Sequence, residues 1–236
     1  DSLLAFSPIL FGLIVGFFWQ VLVMFGLHWS LIPIAILQLG TMGYATALTG
    51  MFGASFAQTA AVAAMYFRLK NPKEKALVLP AVISGICGVT EPAIYGLSLP
   101  KKKPFVFSMI GGAVSGAFMT AMGVRSYVMG GLGVFGIPSY INQQTGDSSG
   151  AIYSVIAIAI ASVIGFVLTF FFWRDDTVVE EIPEGQKAME VRKEIVTSPV
   201  QGQMMPLSTA SDQAFAQGAL GKGVVIHPTV GEVVAP

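Results

Sequence analysis

The sequence predicts a mainly α, polytopic membrane protein with transmembrane helices and re-entrant segments. Three observations carry that prediction. The 236 residues are 54% hydrophobic and 11% charged, with a mean hydropathy of +0.72, whereas soluble domains carry about 25% charged residues. Apolar runs of spanning length recur at roughly 4–25, 42–67, 104–124 and 151–173, and a helix crossing the hydrocarbon core needs about 20 such residues. The charge is also bunched. Seven of the thirteen acidic residues (Asp175, Asp176, Glu180, Glu181, Glu184, Glu190 and Glu194) fall in one short stretch. The chain therefore divides into an apolar body of 1–173, a charged linker of 174–193 and a water-compatible tail of 194–236.

Taken in order, the chain starts at Asp1 and opens into the apolar run Leu3–Phe25. That run has no basic leader and no small-residue cleavage site, so it reads as a span inside a longer parent rather than a signal peptide. The stretch 29–40 is too short to span. The segment 41–66 is rich in Gly, Ala, Ser and Thr, as close helix packing in a membrane requires. The stretch 77–99 is long enough, but Glu91-Pro92 and several glycines interrupt its second half.

Positive residues set the orientation, because cytoplasmic loops carry the excess of Lys and Arg. Arg68, Lys70, Lys73 and Lys75 form one basic loop, and Lys101, Lys102 and Lys103 form another. A full crossing by 77–99 would put these loops on opposite sides. A re-entrant 77–99 leaves both inside, sends 104–124 outward and returns 151–173 to Arg174. The re-entrant reading fits the charges better, and broken helices of this kind mark substrate sites in transporters.

Several function classes drop out. Formal net charge is zero, which gives no polybasic footprint for nucleic acid. A single cysteine, Cys87, rules out a disulfide framework, and His28 and His227 alone do not make a metal cluster. No cofactor is implied. Cys87 lies in an apolar stretch without nearby cations, so it reads as a buried, inert thiol. Gly-Gly-Leu-Gly at 130–133 lacks the Lys-Ser/Thr of a phosphate loop and reads as a close-packed turn.

The residue that stands out is Glu91. It is the lone acid inside an apolar segment between Asp1 and Asp147, Glu74 lying in the basic loop. A carboxylate at membrane depth costs several kcal/mol unless it is paired or faces water, which makes it a functional candidate. Pro92 removes a backbone donor and biases Glu91 away from helix, while Gly85 and Gly88 loosen the chain before it. A bend of this kind presents a carboxylate, the Thr90 hydroxyl and free backbone groups to one cavity. Such groups suit sugar hydroxyls, each of which donates and accepts. The structural alternative is a Glu91 paired with Arg125 or capping a half-helix. His28 and Trp29 follow the end of the first span, either as functional groups or as interfacial residues. Gln20, about two turns earlier, is a further polar group that could bond across helices.

Ser84-Gly85-Ile86-Cys87-Gly88-Val89-Thr90-Glu91-Pro92-Ala93-Ile94-Tyr95-Gly96, followed by Leu99-Pro100 and Lys103-Pro104-Phe105, resembles the signature of glucose-superfamily enzyme IIC permeases. These belong to the phosphoenolpyruvate:sugar phosphotransferase system (PTS). Met24-Phe25-Gly26-Leu27-His28-Trp29 resembles a second motif of that family. The tail opens with Ile195-Val196-Thr197-Ser198-Pro199-Val200-Gln201-Gly202, is rich in Val, Gly and Pro, and is similar to the start of an all-β, glucose-type enzyme IIA domain. The full expectation is thus the C-terminal part of a permease domain over 1–173, the linker, and a truncated all-β cytoplasmic domain over 194–236.

The resemblance implies that Glu91 and His28 bind sugar hydroxyls with Thr90 alongside. Gln20 stands where glucose-type and N-acetylglucosamine-type members carry arginine, eight residues before the motif histidine. With Trp29, this leans toward the β-glucoside branch, with sucrose and trehalose permeases close behind. The implied partners are a sugar, the IIB and IIA domains, an upstream phosphocarrier protein, membrane lipid and a second copy of the chain. The implied location is the bacterial inner membrane, multi-pass, with the C-terminal tail in the cytoplasm. The phosphorylated histidine and cysteine of the relay would lie outside this chain, so His227 does not inherit that role. Two rival readings remain at this point: an ion-coupled secondary transporter using Glu91 as its ion site, and a sensor acting through phosphorylation domains.

Overall fold

The computed structural model describes residues 6–176, 200–211, 213–217 and 223–233. The chain divides into two units, 1–180 and 181–236, each considered by itself. Most of the expected charged linker lies outside the described residues.

The first unit is helical. It comprises α1 (Pro8–Met24), α2 (Leu31–Met42), α3 (Phe52–Met65), α4 (Pro72–Ile86), the short α5 (Glu91–Ala93) running into a π-helical turn at Ile94–Ser98, α6 (Lys103–Ala121) and α7 (Ser149–Phe172). Among the described helices, α6 with 19 residues and α7 with 24 are each long and apolar enough to cross a membrane. Helix α1 has 17 residues, about 26 Å at the helical rise. It qualifies as a span only together with the next helical stretch, Leu27–Met42, from which it is bent by 120°.

The expected single span at 42–67 is corrected. Helix occupies only Thr49–Met65, as a 3-10 turn followed by the 14-residue α3. The preceding backbone is irregular and satisfied locally. Gln38 Oε1 accepts from the amides of Thr46 (2.9 Å) and Ala47 (3.0 Å), and Ala45 and Ser126 exchange backbone hydrogen bonds. Non-helical backbone at membrane depth persists only when protein satisfies it in this way.

Helix α3 is the centre of the unit, with eleven of its fourteen residues buried. Its small side chains let α6 and α7 pack directly against it. Helices α1 and α6 approach more closely still. A Cβ on Gly16 would overlap the Gly112 carbonyl, one on Gly112 would overlap the Gly16 carbonyl, and Gly12 and Gly116 repeat the arrangement one turn along. Two Gly-x-x-x-Gly ridges thus meet face to face, which is how membrane helices gain contact without a hydrophobic drive. A buried amide bridges the layers. Gln58 Nε2 donates to Ser98 Oγ at 2.5 Å, and Ser108 Oγ donates to Gln58 Oε1 at 2.6 Å.

The basic loops meet at one end of the helices. Lys101 Nζ lies 2.9 Å from a Glu74 oxygen and 3.2 Å from Asp175 Oδ1, and the Lys70 amide donates to Asp175 Oδ2 at 3.0 Å. Arg68 Nε donates to the Phe170 carbonyl at 2.8 Å and stacks over that ring at 4.3 Å. Residues 68–75, 101 and the end of α7 therefore share one side. Burial works against the Lys101 charge, but the Glu74 and Asp175 carboxylates outweigh it and raise the Lys101 pKa. A raised pKa contributes stability that is complete below the unfolded value near 10.5 and is lost as pH rises through the folded value. Lys101→Met should cost about 2 kcal/mol of stability and flatten the loss of melting temperature above about pH 10.5. Thermal unfolding in detergent across pH 8 to 12 (a range that brackets about 10.5) checks both.

The second unit contains β1 (Val200–Pro206) and β2 (Val224–Val233), an antiparallel pair. Gly202 lies opposite Pro228 and Pro206 opposite Val224, with a register shift between Val200 and Gly202. A four-residue helix, α8 (Gln213–Ala216), lies between the strands in sequence. His227 pairs with Gln203 in the ladder and is exposed.

Candidate functional site

The site forms where α4 ends. Ser84 Oγ donates to the Val89 carbonyl at 2.8 Å, and the Val89 amide donates back to the Ser84 carbonyl at 3.0 Å. Between them the chain turns at Gly88, whose φ is 96°, a conformation that penalises any Cβ. A Cβ there would also strike Gly133 and Leu132. The turn is thus pressed against the 130–133 loop, and the glycine-rich run is a wall of the site as well as a close-packed turn. Pro92 falls in the first turn of α5, where its missing N–H leaves nothing unsatisfied. It therefore starts a helical turn and does not merely break one.

The other wall is the end of α1 and the turn after it. Tyr95 Oη donates to the Met24 carbonyl at 2.6 Å, tying the two sequence motifs together. Between the walls lies a cavity of about 320 Å³, lined by His28, Thr90 and Glu91 together with Trp19, Trp29, Ser55 and residues 131–133. Pockets for small ligands begin near this size, apolar or aromatic in lining with a few converging polar groups. Thr90 is buried, Glu91 and His28 are half-buried, and Trp29 is exposed.

His28 is held by aromatic rings. Its ring centroid is 5.8 Å from that of Trp19 and 6.0 Å from that of Trp29. Among the described residues its buried Nδ1 has no hydrogen-bond partner, and an orphaned buried polar atom in a cavity wall calls for a ligand or water. Glu91 makes no ion pair among the described residues. Arg125, the alternative partner, stacks instead over Tyr44 at 4.1 Å. It lines a separate polar cavity of about 310 Å³ with Tyr127 and Asn142.

The structure brings three of the four expected residues together and sets the fourth apart. Gln20 is fully buried on α1, and its Nε2 donates to the Ala54 carbonyl of α3 at 2.7 Å. This is the cross-helix bond its sequence position allowed. Cys87 is exposed at the C-cap of α4, which corrects the expectation of a buried thiol: the turn points it off the helix. Trp19 and Ser55 escaped sequence reading because each sits in a strongly apolar or small-residue run. No group of three metal-ligating side chains occurs among the described residues.

Residues 2–112 match the model of the family described as phosphotransferase system, EIIC, and residues 194–236 match that of the phosphoenolpyruvate-dependent sugar phosphotransferase system, EIIA 1. Residues 2–112 belong to the phosphotransferase system EIIC family. It is 46% identical over 234 residues to a PTS system beta-glucoside-specific EIIBCA component of Halalkalibacterium halodurans, covering 98% of this chain and 37% of that protein. It is 36% identical over 225 residues to the beta-glucoside-specific EIIBCA component of Bacillus subtilis, covering 95% of this chain and 36% of that one. A similar component of Dickeya chrysanthemi is 33% identical over 242 residues, covering 98% and 38%. The chain thus spans little more than a third of the length of these relatives. No solved structure matches it. The EIIC match includes His28, Thr90 and Glu91 and stops within α6, before the 131–133 wall of the cavity.

Proposed function

We propose that this EIIC chain is the sugar-holding part of a β-glucoside permease that couples translocation to phosphorylation by the IIA and IIB relay. The observation that carries the proposal is the shared cavity of His28, Thr90 and Glu91: a carboxylate without an ion pair and an imidazole nitrogen without a hydrogen bond among the described residues, beside two indoles. Carboxylate and imidazole fit sugar hydroxyls, and indole faces fit the apolar face of a pyranose. The relatives' printed specificity points to a β-glucoside.

In this reading Glu91 and His28 orient the sugar, and Thr90 adds a hydroxyl. Gln20 supports the wall from behind by fixing α1 on α3. The 6-hydroxyl oxygen attacks the phosphorus of the IIB phosphocysteine; an O–P bond forms, the S–P bond breaks with the cysteine leaving as its thiolate, and the hydroxyl proton passes through water to that thiolate. Holding the acceptor in line is a positioning task, and this chain needs no phosphorylated residue of its own for it. The domain division follows: permease over 1–173, linker over 174–193, start of the IIA domain over 194–236.

The segment 72–99 enters and leaves on one side in this reading. Its support is the ion-pair cluster that joins Glu74, Lys101 and Asp175, since both ends of the segment lie at that cluster. The basic residues there would face the cytoplasm of the bacterial inner membrane, and the tail beyond α7 would follow them. Family resemblance alone supports a homodimer.

The test uses vesicles holding the intact parent protein. An external β-glucoside should accumulate inside as its phosphate ester, and only with phosphoenolpyruvate and the relay proteins present. Delivery of unmodified sugar that collapses with an ion gradient would favour a secondary transporter. His28→Phe keeps the ring contacts with Trp19 and Trp29 and removes the hydrogen-bonding nitrogens. Sugar affinity should fall about tenfold while the melting temperature stays unchanged, as read by titration with the β-glucoside.

A further inference from the structure

A second concave site lies at the end of the helices where the basic loops meet. It is a cavity of about 400 Å³ lined by Lys101, Lys102, Lys103, Arg174 and Asp176 together with the aromatic end of α7, Phe171, Phe172 and Trp173. Four cations and one carboxylate converge there. Lys101 is already engaged by Glu74 and Asp175, whereas Lys102, Lys103 and Arg174 form no ion pair among the described residues.

Two further features mark the place. Lys102 has φ 59°, the one positive value at a non-glycine among the described residues. Such a conformation persists only where the surroundings impose it, and it clusters at ligand sites. It also serves as the N-cap of α6 without a side-chain cap hydrogen bond, so a 19-residue helix begins there with its N-terminal dipole uncompensated.

The rim identifies the ligand class. Phe171 and Phe172 are 64% and 65% exposed at the end of a helix long enough to span the membrane. Apolar rings at the bilayer boundary beside unpaired cations match a molecule with acyl chains and an anionic phosphate. We infer that this cavity binds the headgroup of an anionic phospholipid, with Lys102, Lys103 and Arg174 on the phosphate and the two phenylalanines against the chains. Basic pockets between spans on the cytoplasmic side are the chemistry such headgroups select. The sugar cavity is built from other residues, so the inference stands apart from the permease reading.

The test is native mass spectrometry of the full chain released from nanodiscs of phosphatidylcholine with or without phosphatidylglycerol. The wild type should retain phosphatidylglycerol, and lose it as salt rises. The triple variant Lys102→Gln/Lys103→Gln/Arg174→Gln should bind it on the order of a hundredfold more weakly, about fivefold per charge removed. The charge-preserving variant Lys102→Arg/Lys103→Arg/Arg174→Lys should retain it. Equal retention of phosphatidylcholine by the wild type, or undiminished phosphatidylglycerol binding by the glutamine variant, overturns the inference. So does displacement by inorganic phosphate as readily as by competing phosphatidylglycerol, which would mark a small-anion site. A phosphorylated relay domain needing the same three side chains in pure phosphatidylcholine would mark a protein dock and likewise overturn it.

Discussion

Replacing Glu91 by glutamine is expected to lower sugar phosphorylation in vesicles about a hundredfold, in effect abolishing it. The carboxylate has no ion-pair partner among the described residues and lines the cavity, so its charge is available to a sugar hydroxyl. A hydrogen bond to a charged group contributes about 1.5–3 kcal/mol, and misplacing a reacting hydroxyl by about 1 Å costs on the order of a hundredfold in rate. Glutamine keeps the shape and removes the charge. Because no ion pair among the described residues depends on that charge, the melting temperature should not move. A purely structural Glu91 predicts the reverse, with stability lost and transport by the surviving protein unchanged. A Gln variant that phosphorylates sugar at the wild-type rate would sink the assignment.

Much of this site was legible in the chain itself. An acid followed by proline in an apolar run marked the bend, and the positive residues at 68–75 and 101–103 placed its two ends together. Lys101 does meet Glu74 and Asp175, a contact that a re-entrant 77–99 would make. What the sequence hid was of two kinds. The 42–67 run looked continuous because hydropathy does not register a side chain such as Gln38 taking over backbone hydrogen bonds. Trp19 went unremarked and the 130–133 run read only as a close-packed turn, because only tertiary packing brings them to His28 and Gly88. Gln20 was legible as polar, but its direction around α1 depended on where α3 packs.

Gly112→Val should prevent the helices from assembling. Its Cβ would fall on the Gly16 carbonyl and beside Ala54, and the obstacle is backbone, which no rotamer change relieves. Overpacking of this kind costs about 3 kcal/mol or more, a large share of the usual margin of about 5–15 kcal/mol. The protein should be lost from the membrane fraction or melt far lower in detergent. Gly40→Ala is the matched control. A Cβ at Gly40 meets nothing within 4 Å, and alanine favours helix by about 1 kcal/mol, so this variant should melt at or above the wild type. Equal behaviour of the two variants would mean that the close approach of α1 and α6 does not hold the unit together.

Where the sugar sits can be read directly by photolabelling the intact parent with a photoreactive β-glucoside and mapping the adducts by mass spectrometry. Adducts should fall on Trp19–Ile32 and on Gly88–Glu91, with some on Gly131–Gly133, and unlabelled β-glucoside should suppress them. Adducts confined to Tyr44, Arg125, Tyr127 and Asn142, which line the separate polar cavity, would contradict the assignment of His28, Thr90 and Glu91 as the sugar site.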